Sequence, residues 1–246
     1  MKNKMVTAAQ AVAGIKDGDV VMVGGFLGTG TPEILMDALV AQGTKHLTII
    51  ANDGGLPAEN PDTNGRLKGV AKLLANGQVD HVIMSHVGMN PLIGQGMMEG
   101  TLKVTLSPQG TLAERIRAAG AGLGGVLTPT GVGTLIESGE AIPVGDKMIS
   151  ISEKKERVTI DGKDYLFEKP LHADWALLRA DICDKYGNFS SFKATKNFNH
   201  VMAMAAENVV VASEKVYEIG EKDPDDYTVA GVYVTYIVEG EPKWEI

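Results

Sequence analysis

The stretch that most constrains the fold runs from Val20 to Glu33. Val20-Val21-Met22-Val23 leads into Gly24-Gly25-Phe26-Leu27-Gly28-Thr29-Gly30, and Thr31-Pro32-Glu33 follows. Four consecutive apolar residues predict a strand covered on both faces, the condition of a parallel sheet. A helix is expected directly after the glycines. Thr31 is a suitable N-cap, Pro32 suits the first turn, and Glu33 complements the positive helix end. Ile34, Leu35, Ala38 and Leu39 supply its buried face and Gly43 its stop. His46–Ile50 reads as the next strand. Strand, glycine loop, helix and strand together form one unit of an open α/β sheet.

The unit repeats with less clarity downstream. A helix near Leu67–Leu74 ends at Asn76-Gly77, and Val82-Ile83-Met84 and Leu102–Leu106 read as strands. Thr111-x-x-Glu114 has the form of a capping box opening a helix through Leu112, Ile116 and Ala119. Gly120–Gly125 reads as loop. Beyond about residue 145 the pattern turns to alternation, at Met148–Ser152 and Val158–Ile160, and Asp161-Gly162 is a hairpin turn before Tyr165-Leu166-Phe167. Trp175–Leu178, Val209–Ala212 and Val232–Val238 are further strands, with a turn at Asp184–Asn188 and a helix near Asn199–Ala206. At the start, Thr7-x-x-Gln10 fits a capping box for a helix over about 7–16. That reading is preferred to a secretory leader, which Lys2, Lys4 and Ala11-Val12-Ala13 imitate, because Thr7 and Gln10 interrupt the apolar run. The expected architecture is a single domain over residues 1–246: an open, mainly parallel α/β sheet flanked by helices, with a small β-hairpin insertion.

Several function classes fail on simple counts. Lys+Arg number 23 against 31 Asp+Glu, a net charge of -8, which disfavours nucleic-acid and anionic-membrane partners. No apolar run approaches the roughly 18 residues of a membrane span. Cys183 is the single cysteine, so no intrachain disulfide forms; a cytoplasmic setting is expected, with Cys183 as a small buried hydrophobe. His46, His81, His86, His172 and His200 are scattered, and no metal site is expected. There is no G-x-S-x-G elbow, and Gly162-Lys163-Asp164 fails the phosphate-loop pattern. Gly28-x-Gly30-x-x-Glu33, with Asp53 roughly twenty residues on, approaches a dinucleotide fingerprint. Glu33, however, stands where a third glycine would let helix and strand pack closely. A tight turn with no ligand is the alternative.

A more specific match covers nearly the whole chain. It comprises Asp17-Gly18-Asp19 through Thr31-Pro32, then Asn52-Asp53, then Ser85-His86-Val87-Gly88. Ser107-Pro108-Gln109-Gly110-Thr111-Leu112-Ala113-Glu114-Arg115-Ile116-Arg117 and Thr195-Lys196-Asn197-Phe198-Asn199 complete it. These segments resemble the family I CoA-transferases, in particular the α subunits of the short-chain, acetoacetate-using enzymes. The resemblance implies a heteromeric enzyme moving CoA from an acyl-CoA to a short-chain carboxylic acid. In such enzymes a glutamate attacks the thioester, and a glutamyl-CoA thioester carries the CoA. The family places that glutamate in a Glu-Asn-Gly segment of the β subunit. Here Pro61 follows Glu59-Asn60 and Val209 follows Glu207-Asn208, so Glu59 reads as a loop residue and Glu207 as a helix-end charge. The chain is therefore expected to be inert alone and active with a β subunit in an α2β2 assembly. Acetate, butyrate and acetoacetate are the substrate class, with a succinyl-CoA:3-oxoacid enzyme as the alternative. CoA arrives as part of the substrate, and no permanently bound cofactor is expected.

The resemblance also implies site residues. Gly24, Gly25, Phe26, Leu27, Gly28, Thr29 and Gly30 are assigned to CoA, since glycines admit an anion to backbone N–H groups and the helix from Pro32 presents its positive end. The alternative is a turn that supports the partner's site. Gln109 matches the family position for an amide that donates to the thioester oxyanion; the alternative is a loop glutamine bonded to nearby backbone. Asn52 and Asp53 end the second strand and are placed near the acyl group. Glu114 reads as a capping residue. Arg115 and Arg117 read either as contacts to CoA phosphates or the partner, or as structural. Met97, Met98, Met202 and Met204 read as core or interface. A reading of a different class is a sugar-phosphate-binding module of related fold.

Overall fold

Val21 and Val23 join one apolar cluster and Met22 the other, so the first strand is buried on both faces as its composition predicts. The computed structural model describes residues 2–242. In chain order its first part holds α1 (Ala8–Val12), β1 (Val20–Val23), α2 (Glu33–Gln42), β2 (Leu47–Ile50) and α3 (Val70–Ala75). It continues through β3 (Val79–Met84), α4 (Pro91–Glu99), β4 (Lys103–Leu106) and α5 (Gln109–Gly120). Next come β5 (Val126–Thr128), α6 (Leu135–Ser138), β6 (Ile142–Val144), β7 (Lys147–Ile149), β8 (Glu156–Ile160) and β9 (Lys163–Glu168). The chain returns through β10 (Ala173–Asp184), β11 (Phe189–Ser190), α7 (Asn199–Met202), β12 (Ala206–Tyr217) and β13 (Tyr236–Glu239).

The main sheet has the order β13-β12-β10-β1-β2-β3-β4, all pairs parallel, with β11 added antiparallel to β10. Side chains alternate between two cores. Trp175, Leu177, Val210 and Ala212 face the layer that includes α1, α2, α3 and α4. Ala176, Leu178, Val209 and Val211 face α5 and α7. From β1 the chain steps outward to β4, then returns to β10 on the other side of β1. The reversal between β1 and β10 is where open α/β sheets form a crevice at their carboxyl edge. No helix among the described residues is long and apolar enough to cross a membrane.

The structure corrects several local expectations. The Thr7/Gln10 capping box is present, but α1 stops at Val12, and Ala11, Val12 and Ile15 are buried in the core. Helix α4 lies outside the elements read from the sequence, although Asn90 caps it, Pro91 opens it and Gly100 closes it in a left-handed conformation. The insertion exceeds one hairpin. β8 and β9 pair around Asp161-Gly162, β5 adds a third strand to β9, and β6 with β7 forms a separate hairpin. The last strand is shorter than expected because Gly231–Tyr233 form a 3-10 turn. Glu207 is not a helix-end charge: α7 ends at Met202, and Glu207 lies exposed near the start of β12. Thr31 is not the cap of α2, which starts behind Pro32 without a side-chain cap. Thr111 and Glu114 form no capping box, because α5 begins two residues earlier, at Gln109. Thr111 thus lies inside the helix with its hydroxyl buried and without a partner among the described residues, and Glu114 pairs with Arg117 at 2.7 Å.

Candidate active site

The glycine loop leaves the carboxyl end of β1 and turns sharply. Phe26 and Thr29 exchange N–H···O bonds at 2.9 Å, with Leu27 and Gly28 at the turn in positive φ (47° and 81°). Such a two-residue reversal needs left-handed backbone at both central positions. Gly24 is required for a different reason: a Cβ there would sit 1.9 Å from Asn199 Oδ1. Asn199 is fully buried, donates from Nδ2 to Gly30 O and Thr195 O, and accepts from the Arg179 N–H. Asn197 donates to Thr29 O at 2.9 Å. The segment after β11 therefore clamps the glycine loop from the β10 side of the crevice. Nothing in the local pattern of Thr195–Asn199 announces this, because both contacts reach across the fold.

On the β2 side a polar cluster closes the crevice. Asn52 and Asp53 follow β2 and are both buried. Asp53 Oδ2 accepts from the Leu27 N–H and from Asn52 Nδ2, each at 2.8 Å, while Oδ1 accepts from the Gly55 N–H at 3.0 Å. Asn52 Oδ1 accepts from Gln109 Nε2 at 2.6 Å and from Ser85 Oγ at 2.9 Å. Gln109 is the first residue of α5, exposed at the mouth of the cluster, and it is bonded to a side chain rather than to nearby backbone. The structure thus brings the glycine loop, Asn52, Asp53 and Gln109 into one connected group. Ser85 joins them, a role that its place in the Ser85–Gly88 segment alone did not show.

The end of α2 departs from its expected role. Its first amides, Glu33 N–H and Ile34 N–H, donate at 2.8 and 3.0 Å to the carboxylate of Glu241, near the other end of the chain. Burial lifts Glu241 to about 7, while those two amide bonds and the positive charge of Arg179 act in the opposite sense. A carboxylate of this chain therefore already occupies the helix end that was expected to face CoA. Within the loop, the amides of Gly24, Phe26, Leu27, Thr29 and Thr31 are bonded internally. Those of Gly25, Gly28 and Gly30 remain uncommitted among the described residues.

The remaining candidates resolve mostly to structure. Arg115 is buried, donates to Lys169 O at 2.9 Å and lies 3.5 Å from Glu168, tying α5 to the end of β9. Arg117 is exposed and pairs with Glu114. Met202 is core, Met97 is partly buried against the opposite core, and Met98 and Met204 are exposed. Cys183 is buried, which pushes its thiol well above the usual range. No cluster of three or more His, Cys, Asp or Glu suited to a metal occurs among the described residues.

Known proteins share this architecture and much of this sequence. The family model described as Coenzyme A transferase matches residues 5–240. The alpha chain of the acetate CoA-transferase of Escherichia coli K12 is 43% identical over 238 residues, covering 97% of both chains. The acetoacetyl-CoA:acetate/butyrate CoA transferase alpha subunit of Clostridium acetobutylicum is 42% identical, covering 97% of this chain and 99% of that one. In fold, the chain superposes on a crystal structure of an acyl-CoA transferase from E. coli O157:H7 with a TM-score of 0.81 at 23% identity. That match covers 97% of this chain and 47% of the longer one. Full-length identity above 40% to α subunits, together with a family match spanning the whole sheet, places the chain in the coenzyme A transferase family, as an α subunit of the family I enzymes.

Proposed function

We propose that this α subunit works in a short-chain CoA-transferase, moving CoA from an acyl-CoA to a free carboxylate of the acetate, butyrate or acetoacetate class. One observation carries the reading: the carboxyl edge of the sheet gathers hydrogen-bond donors, and among the described residues the buried and half-buried carboxylates there, Asp53, Glu33, Glu241 and Asp181, are each engaged by groups of this chain. Asp53 is engaged by three donors. Glu33 accepts from the Gly69 N–H and pairs with Lys72 at 2.6 Å. Glu241 is held by the start of α2, and Asp181 accepts from Phe192 N–H and Thr195 Oγ1. Glu59 is exposed in a loop, and Glu207 lies at the opposite, amino edge of the sheet. The nucleophile is then a glutamate of the β subunit, in an α2β2 assembly.

The chemistry follows from that division. The partner's carboxylate adds to the thioester carbonyl, and the carbonyl oxygen takes the negative charge. Collapse expels CoA thiolate, which attacks the resulting glutamyl anhydride and releases the acid, leaving CoA as a glutamyl thioester. The incoming carboxylate reverses the sequence, so the thioester energy is retained. Gln109 supplies a neutral donor to the oxyanion and cannot act as a competing nucleophile. The uncommitted amides of Gly25, Gly28 and Gly30 are the loop's donors toward CoA, in place of the helix end that Glu241 fills. CoA enters as substrate, no cofactor is held permanently, and the setting is the cytoplasm, where a lone thiol stays reduced.

A chain of the succinyl-CoA:3-ketoacid coenzyme A transferase from Helicobacter pylori J99 is 38% identical, which makes a succinate-using enzyme the second reading. The test is acetoacetyl-CoA consumption with acetate, butyrate or succinate, by the chain alone and co-expressed with a β subunit from the same genome. Turnover only in the mixture is expected, and the acid that supports it selects between the readings. Turnover by the chain alone, or a folded associated pair inactive with all three acids, would overturn the proposal.

A further inference from the structure

We infer that Asp53 is a positioning residue that determines which edge of the Gln109 amide carries its protons. Asn52 and Gln109 are primary amides, whose oxygen and nitrogen edges match in shape but are opposite in hydrogen-bonding sense. An exposed glutamine on the first turn of a helix has no intrinsic preference between them. Asp53 removes the ambiguity because a carboxylate has acceptors only. Asn52 turns Nδ2 toward Asp53 Oδ2 at 2.8 Å, which sends its Oδ1 to the other side. That oxygen accepts from Ser85 Oγ at 2.9 Å and from Gln109 at 2.6 Å, so Gln109 presents nitrogen there. Its second Nε2 proton is left for a further acceptor. The same Asp53 oxygen holds the Leu27 N–H, so the glycine loop and the oriented amide share one anchor.

The orientation is a property of this chain, whereas its effect on turnover rests on the CoA-transferase reading, so the two are tested separately. In the 15N-labelled full chain, the side-chain amide signals of Gln109 are identified by their loss in Gln109→Met. One Nε2 proton should be protected from solvent exchange beyond the level of an exposed glutamine. Asp53→Ala should remove that protection, and Asn52→Ala should reproduce the change. Asp53→Asn should restore it, because its side-chain oxygen can face both Leu27 and Asn52 while only the Gly55 contact is lost. If Asp53→Ala does not fold, Asp53→Ser gives the same reading: its short hydroxyl serves the local Gly55 amide without reaching Asn52. Unchanged Gln109 signals in a folded Asp53→Ala or Asp53→Ser chain would overturn the inference, as would Asp53→Asn behaving like Asp53→Ala.

In the assembled pair, Asp53→Ala should lower kcat about 10- to 100-fold, the scale of loss when a group that orients a metal ligand is removed. KM for the acyl-CoA should change little, and Asp53→Asn should recover most of kcat. A rise in KM at constant kcat would mean that Asp53 only supports the loop. A wild-type pair that transfers no CoA would defeat the CoA-transferase reading, while the amide signals would still decide the orientation.

Discussion

Helices α2 and α5 both leave the carboxyl edge of the sheet, α2 after β1 and α5 after β4. Each starts behind a proline, Pro32 or Pro108, with no side-chain cap. Their first turns nevertheless meet opposite surroundings. The start of α2 is closed by Glu241, whose carboxylate takes two of its amides. The start of α5 is open: Gln109 and Gly110 are exposed, and a Cβ at Gly110 would meet nothing within 4 Å. A helix end becomes structural or functional according to what the rest of the chain brings to it, and here a segment more than 200 residues away decided the case of α2.

The open end of α5 should give the largest effect. Gln109→Ala should lower kcat of the assembled pair about 10²–10³-fold, the usual effect of losing one oxyanion donor, while the subunits still associate. Turnover assays and size-exclusion chromatography on the same preparation check both halves, and near-normal turnover would remove Gln109 from the chemistry.

The closed end should show itself as a pH effect. Burial raises Glu241 to about 7, so between the ordinary carboxylate range and that value the unfolded chain releases a proton that the folded chain keeps. The folded state therefore loses stability from this group as pH rises through the window, with the loss complete above about pH 7. Urea midpoints at pH 5 and pH 7.5 should fall more for the natural chain than for Glu241→Gln. Equal pH dependence in the two chains would show that Glu241 is not the group concerned. Turnover should be less affected than by Gln109→Ala, because Glu241 bonds the start of α2 and not the Asn52–Gln109 cluster.

The smallest effect concerns the cap that α5 does not have. Thr111→Val removes a buried hydroxyl with no partner, so stability should be unchanged or gain up to about 1 kcal/mol. A loss of about 1 kcal/mol or more, measured by chemical denaturation, would instead restore the capping role suggested by Thr111-x-x-Glu114.

Much of the frame was legible because its signals are local. The apolar run Val20–Val23, the left-handed stop at Gly43 and the turn at Asp161-Gly162 each follow from a few neighbouring residues. Helix α4 carries equally local signals in Asn90, Pro91 and Gly100, but Gly94 and Gly96 interrupt its apolar face and hide its period. The capping readings at Thr31 and Thr111 failed for a different reason. Both motifs have suitable residue types, but the helix is entered one position later at Pro32 and three positions earlier at Pro108, and a cap works at one position only.

The sequence by itself determined the apolar runs that build a parallel sheet covered on both faces, the glycines at a sharp reversal, and the family, since each motif is a contiguous stretch of chain. Tertiary structure alone decided how the site is wired. Asp53 reaches Leu27 across 26 residues, Gln109 reaches Asn52 across 57, Asn199 reaches Gly30 across 169, and Glu241 reaches Glu33 across 208. Backbone propensities act within a turn or two of chain, whereas a hydrogen bond is satisfied by any partner the fold delivers within about 3 Å. Which partner that is depends on the order of the strands, and the order puts β10 beside β1 although about 150 residues of chain separate them.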